Sequence, residues 1–318
     1  MKILANDGIS ESGVNLLKSA GFNISTEKIE QDKLIDAIND QNIEVILVRS
    51  ATKVRKDIID NCPSIKIIGR GGVGLDNIDV EYAKGKGIEV INTPAASSQS
   101  VAELVMAQLF NISRSVFDSN RNMPSSTNGD FKILKKKYAK GIELRGKTIG
   151  IIGFGKIGQN TAKYALGCGM KVIASDPFID NVAIDLQIND QSININIPMV
   201  KMDVLLSNAD FISLHVPMPA DGKALIGENE FNKMKDGVRI VNAARGGVID
   251  EDALIDALNN QKVAFAALDV FVGEPSPRTD VINHNKISLT PHIGAATVEA
   301  QDRIGTELAD KIISFYKK

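Results

Sequence analysis

The chain has 318 residues, 43% of them apolar and 24% charged, a globular composition at a length that favours two domains over one core. Its 37 lysines and arginines stand against 39 acids, and the resulting net charge of -2 gives no general attraction to nucleic acid or to an anionic membrane. Cys62 and Cys168 lack the spacing of a disulfide framework or a zinc site, and no apolar run approaches the roughly 20 residues that span a bilayer.

The opening "MKILAND" reads as a strand entering the fold at once, without the regions of a signal peptide, so a reducing cytoplasmic location is the expectation. Strand patterns follow one another at 2–7, 45–50, 65–71 and 88–93, with helical spacing between them at 10–20, 30–40, 53–61 and 79–86. That alternation builds a parallel sheet covered by helices on both faces. Residues 97–119 read as one longer helix, and 122–141, rich in Ser, Asn, Gly and Lys, as a loop. Six near-continuously apolar strands then follow, "KTIGIIG", "KVIASD", "FISLHVP", "RIVNAA", "AFAALDV" and "KISLTP", before a terminal amphipathic helix at 297–316.

"KTIGIIGFGKIGQNTAKYALGCGMKVIASDP" sets Gly153, Gly155 and Gly158 in a GxGxxG between a strand and a helix. The first glycine permits the tight turn, the second lets backbone approach a pyrophosphate, and the third allows close helix packing. The helix N-terminus adds its positive end. Asp176, eighteen residues beyond Gly158 at a strand end, accepts from ribose hydroxyls and repels a 2′-phosphate, which predicts NAD rather than NADP. About 145 residues precede this loop, enough for a second α/β unit that holds substrate.

Three later strands each deliver one ionisable residue to the carboxyl edge, where open α/β sheets bind ligands. They are Arg245 in "NAARGG", Glu274 in "VFVGEP" and His292 in "LTPHIGAAT". Taken singly, Arg245 reads equally as a surface ion pair and Glu274 as a turn acid. Together they form a chemistry: an imidazole as base for a hydroxyl proton, a carboxylate to fix its tautomer, and a guanidinium to grip a substrate carboxylate.

The motifs "GRGGVGLDNID", "NTP", "GIIGFGKIG", "HVPM", "NAARGGVIDEDAL", "ALDVFVGEP" and "TPHIGAAT" resemble, in order and spacing over essentially the whole chain, those of the D-isomer-specific 2-hydroxyacid dehydrogenases. "VRSATKV" followed by "GRGGVGLDNID" is most similar to the branch that oxidises D-3-phosphoglycerate. The resemblance implies two doubly wound parallel-sheet α/β domains. A Rossmann NAD-binding domain at 96–295 is inserted into a discontinuous, flavodoxin-like substrate domain at 1–95 and 296–318. It implies His292 as acid/base, Glu274 as its partner and Arg245 as the substrate clamp. Cofactor contacts are implied at Lys156, Ile157, Asp176, His215, Val216, Pro217, Ala243, Ala244, Arg245, Asp269, His292, Gly294 and Ala295, beside the three loop glycines. Gly72, Val73 and Gly74 would hold the substrate carboxylate, with no metal, and the family implies a homodimer through the cofactor domain.

A phosphorylated substrate needs cations at its far end, and Arg49, Ser50 and Lys53 on "VRSATKV" are the candidates. Lys135, Lys136 and Lys137 read more simply as a solvated run than as a second phosphate contact. Phe131 or Leu134 stands where many relatives carry a Trp. Other D-2-hydroxy acids, hydroxypyruvate or glyoxylate among the oxo partners, and a non-enzymatic NAD sensor of the corepressor type stay open as alternatives. The chain stops after the terminal helix, so no serine feedback through a C-terminal regulatory domain is expected.

Overall fold

A computed structural model describes residues 1–127 and 129–317. Asn128, inside the expected loop at 122–141, and Lys318, at the end of the expected substrate domain, lie outside the described residues. The chain forms two compact units, Met1–Ser100 with the chain from Ala295 on, and Val101–Gly294.

In the first unit the chain runs through β1 (Lys2–Ala5), α1 (Glu11–Ser19), β2 (Asn23–Ser25), α2 (Leu34–Gln41), β3 (Val45–Val48), α3 (Lys56–Asn61), β4 (Ile67–Arg70), α4 (Val80–Gly85) and β5 (Glu89–Asn92). The strands pair in parallel in the order β2-β1-β3-β4-β5. Every side chain of β3, "VILV", is buried, as a strand covered on both faces requires. Two apolar clusters lie one on each side: Leu4, Ile46, Val48 and Ile68 on one, Ile3, Ala5, Val45, Leu47 and Ile67 on the other. The short β2 was not expected from the sequence. The last helix, here α13 (Val298–Tyr316), belongs to this unit and adds Ala309 and Ile312 to the second cluster.

Helix α5 (Ser98–Arg114) leads into the second unit. The single helix expected over 97–119 is instead broken at Ser115, whose φ of 50° lies in the left-handed region, and α6 (Val116–Asn122) starts afresh. The expected loop at 122–141 contains a helix as well, α7 (Asp130–Lys137). Then come β6 (Thr148–Ile152), α8 (Lys156–Gly167), β7 (Lys171–Ser175), β8 (Val182–Ile188), β9 (Gln191–Ile197), α9 (Met202–Asn208), β10 (Phe211–Leu214), α10 (Glu228–Lys233), β11 (Val238–Asn242), α11 (Glu251–Asn259), β12 (Val263–Leu268), α12 (Thr279–Ile282) and β13 (Ile287–Leu289).

Six of these strands make one parallel sheet in the order β13-β12-β11-β10-β6-β7, while β8 and β9 form a separate antiparallel ribbon. Beyond β7 one isolated parallel bridge joins Ala174 to Met199. All six strands expected in this half are present; the ribbon was not foreseen. Among the described residues, no helix is long and apolar enough to cross a membrane, and no group of three His, Cys, Asp or Glu could hold a metal ion.

Candidate active site

The dinucleotide loop follows β6. Gly153 has a φ of 87°, and a Cβ on it would come within 2.5 Å of the His215 carbonyl oxygen, so only glycine fits. Gly158 packs directly against the Gly153 carbonyl, seating α8 on the loop. Gly155, which caps α8, has no neighbouring atom within 4 Å of an added Cβ. Open space at a helix N-terminus suits a pyrophosphate, and the tight first and third glycines shape it. Asp176, after β7, accepts the Phe154 N–H at 2.7 Å and the Phe178 N–H at 2.9 Å, tying the loop to the neighbouring strand end. A carboxylate has lone pairs beyond those two for ribose hydroxyls. These residues fit a dinucleotide.

His215 follows β10, which lies next to β6 in the sheet. Its Nε2 lies 2.9 Å from Ser213 Oγ, and burial pushes its imidazole down to about 3, so the ring is neutral. Val216 touches the Gly153 position, while Pro217 is exposed.

The three ionisable residues follow β11, β12 and β13, consecutive neighbours in the sheet. Glu274 and His292 are in direct contact, Oε2 to Nδ1 at 2.7 Å. Glu274 Oε1 accepts the Phe271 N–H at 2.9 Å. His292 has a φ of 54°, an uncommon conformation for a non-glycine residue that its surroundings must hold. Asp269 does so: Oδ1 accepts the Thr290 hydroxyl at 2.6 Å and the Ile293 N–H at 2.9 Å, and Oδ2 accepts the Gly294 N–H at 2.9 Å. Expected as a cofactor contact, Asp269 is buried with both oxygens engaged in shaping this turn.

Arg245 sits in a turn fixed by Asn242, whose side chain donates to the Arg245 carbonyl and accepts from the Ala244 N–H. Its guanidinium Nη1 donates to the Ala244 carbonyl at 2.7 Å. Gly246 packs on the carbonyl of Phe271 with no room for a Cβ, so the arginine turn and the Glu274 turn share one contact. Gly247 abuts Met218 of the "HVPM" loop.

Further residues that the sequence reading passed over hold these turns in place. Gln108 of α5 is buried and accepts from Ser288 Oγ at 2.7 Å, anchoring β13 just before His292. Asn242 and Gln108 carried one signal, a polar side chain inside an otherwise apolar pattern.

In the first unit the expected substrate residues follow β3 and β4, beside the β1/β3 point where the strand order reverses. Asp7, after β1, gathers the 49–52 loop: Oδ2 accepts the N–H groups of Arg49 and Thr52 at 2.7 and 3.0 Å, and Oδ1 accepts from Thr52 Oγ1 and Lys28 Nζ. Burial opposes ionisation of Asp7, and these hydrogen bonds, led by that of Lys28, outweigh it and hold the carboxyl below the ordinary range. Asn77 closes the loop from its other side by donating to the carbonyls of Arg49 and Thr52. Gln31 brackets Lys53 by accepting its N–H and donating to its carbonyl. Ser50 and Lys53 are exposed. Arg49 lines a cleft of about 820 Å³ with Thr297, Gln301 and Arg303. Arg70, which the sequence reading did not single out, lies across Gly72, whose φ is 143°. Ala295, expected at the cofactor, falls in this unit, where its carbonyl accepts from Gln301.

Residues 106–294 match the D-isomer specific 2-hydroxyacid dehydrogenase NAD binding domain. The chain belongs to that family. The chain is 44% identical over 317 residues to the hydroxypyruvate reductase of Thermotoga maritima, covering 98% of this chain and 97% of that protein. It is 39% identical to the D-3-phosphoglycerate dehydrogenase of Archaeoglobus fulgidus, with all of this chain matched to 58% of the relative, so it spans little more than half of that protein. Among solved structures, the NAD⁺-bound 3-phosphoglycerate dehydrogenase of Entamoeba histolytica aligns with a TM-score of 0.79 at 30% identity, over 100% of this chain and 96% of the other. The chain thus carries the NAD-binding domain of its family, on a scaffold with two parallel sheets.

Proposed function

We propose that this dehydrogenase oxidises D-3-phosphoglycerate to 3-phosphohydroxypyruvate, opening serine biosynthesis, as a cytoplasmic homodimer. Bound NAD supplies the hydride acceptor. Everything else falls to side chains of the chain itself. With Nδ1 engaged by Glu274, His292 keeps Nε2 for the hydroxyl proton that must leave as the carbinol hydride departs and the C=O bond forms. Glu274 favours the imidazolium so created. Arg245 grips the substrate carboxylate.

The observation that carries the choice of substrate is the clamped "VRSATKV" loop. Asp7, Asn77 and Gln31 hold its backbone, and no ion pair engages Arg49 or Lys53 among the described residues. Two cations outside any ion pair, on a loop whose backbone is hydrogen-bonded in place, are matched to a phosphate dianion, although Glu11, Glu299 and Asp302 line the same cleft as Arg49. A second reading, hydroxypyruvate reduction, is favoured by the relative of nearly equal span at 44% identity.

Steady-state turnover of D-3-phosphoglycerate, D-glycerate, D-lactate and hydroxypyruvate, with NAD(H) and NADP(H), separates the two. Phosphoglycerate with NAD should give the highest kcat/KM. Arg49→Ala should lower that value about 10- to 100-fold, the worth of one charge-assisted hydrogen bond, and change unphosphorylated substrates by less than about threefold. A parent enzyme that prefers hydroxypyruvate, or an R49A loss equal on all substrates, decides against the phosphoglycerate reading.

A further inference from the structure

Glu251 opens α11 and is buried, only 8% exposed. Its Oε1 accepts the N–H of Val272 at 2.9 Å, and its Oε2 is buried with no hydrogen-bond partner among the described residues. The preceding N–H in the same turn, that of Phe271, goes to Glu274, which in turn faces His292. Two successive backbone donors are therefore taken by two carboxylates, one at the proposed reaction centre and one behind it.

Burying a carboxylate with an unmatched oxygen is costly, and the N-terminus of α11 offsets only part of the cost. An apolar side chain would fill the space more cheaply, so the acid is there for the bond it makes. The turn needs that bond, because its own packing is poor: Val272 is 46% exposed and Gly273 has no side chain. Phe271 anchors one end of the turn through its buried ring and through Gly246 on its carbonyl. Beyond it the Ser276 N–H donates to the Gly273 carbonyl at 2.8 Å, and among the described residues Glu251 supplies the side-chain acceptor for the Val272 N–H.

We propose that Glu251 is a positioning residue for hydride transfer, holding the 271–274 turn so that Glu274 meets His292 Nδ1. The inference rests on the reading of Glu274 and His292 as the reacting pair. Substitutions in the full chain test it, with NADH formation on D-3-phosphoglycerate, or NADH consumption on hydroxypyruvate if the parent prefers it. Glu251→Gln keeps an acceptor and should stay within about threefold of the parent kcat. Glu251→Leu removes it, Glu251→Asp withdraws it by one methylene, and each should lower kcat at least about tenfold with the KM for NAD(H) changed by less than about twofold. Combined with Glu274→Gln, E251L should add less than about twofold, because both act through one group.

Kcat within about twofold of the parent for E251L and E251D, a Gln variant as poor as Leu, or a further tenfold loss on the E274Q background overturns the inference. Should E251L not fold, E251D decides by the same criteria. His292→Asn, measured in parallel, reports on the underlying reading alone: parental kcat in H292N removes the acid/base assignment, whatever the Glu251 variants do.

Discussion

Asp7 is the residue whose placement says most about how the substrate loop is held. Its carboxyl is kept below the ordinary range, so it contributes stability above about pH 4, where the unfolded side chain is also ionised. As the pH falls through the folded value, that contribution is lost. Asp7→Asn should therefore lower stability to urea at pH 7 by about 1–3 kcal/mol, the cost of weakening a buried polar cluster, with the difference from the parent shrinking towards pH 3. A difference that stays constant between pH 7 and pH 3 would mean that the charge of Asp7 is irrelevant. None of this was visible in "MKILAND", where Asp7 is one acid after a strand; its role exists only once β1 and β3 lie side by side.

At the level of elements, the strands were the legible part. "VILV", "TIGII" and "VAFAAL" are apolar throughout because both faces are covered, and a continuous apolar run needs no knowledge of its neighbours. The ribbon β8–β9 was legible in principle, since Val182, Ile184, Leu186 and Ile188 alternate with Ala183, Asp185 and Gln187. It went unread because it is an antiparallel pair inside a pattern of parallel crossovers. The break at Ser115 was hidden for a different reason: no glycine or proline marks it, and the left-handed residue is a serine. The residues bearing Arg245, Glu274 and His292 could be placed at strand ends from sequence, but the 2.7 Å contact and the supports from Asp269, Asn242 and Gln108 could not, because they join segments far apart in the chain. Gly246 tests the element level directly. Gly246→Ala pushes a methyl group into the Phe271 carbonyl, and backbone cannot yield as a side chain does. We expect a loss of about 1–3 kcal/mol in thermal unfolding together with reduced kcat; a variant with parental melting and turnover would show that the two turns are not in firm contact.

For the whole molecule, the second unit exposes Phe110, Val116, Met123, Phe131 and Ile133 within one stretch of chain that includes α6 and α7. If the proposed homodimer forms through this segment, these side chains are the ones it would cover. Sedimentation should show the parent as a dimer and Phe131→Glu/Ile133→Glu as a monomer; an unchanged sedimentation coefficient would move the interface elsewhere. The lysines at 135–137 share this segment, and Lys137 is already paired with Asp118, which leaves the solvated reading as the simpler one for the run.

The β8–β9 ribbon buries Ile184 and Ile197 at its base, while Ile188 and Ile193 near its tip stay exposed. Its tip, at Asn189 and Asp190, is thus an appendage: lengthening it, trimming it or fitting it with a fluorophore asks no residue of the glycine loop or of the three strand-end turns to move. The ribbon is a handle on the scaffold, outside its six-stranded sheet.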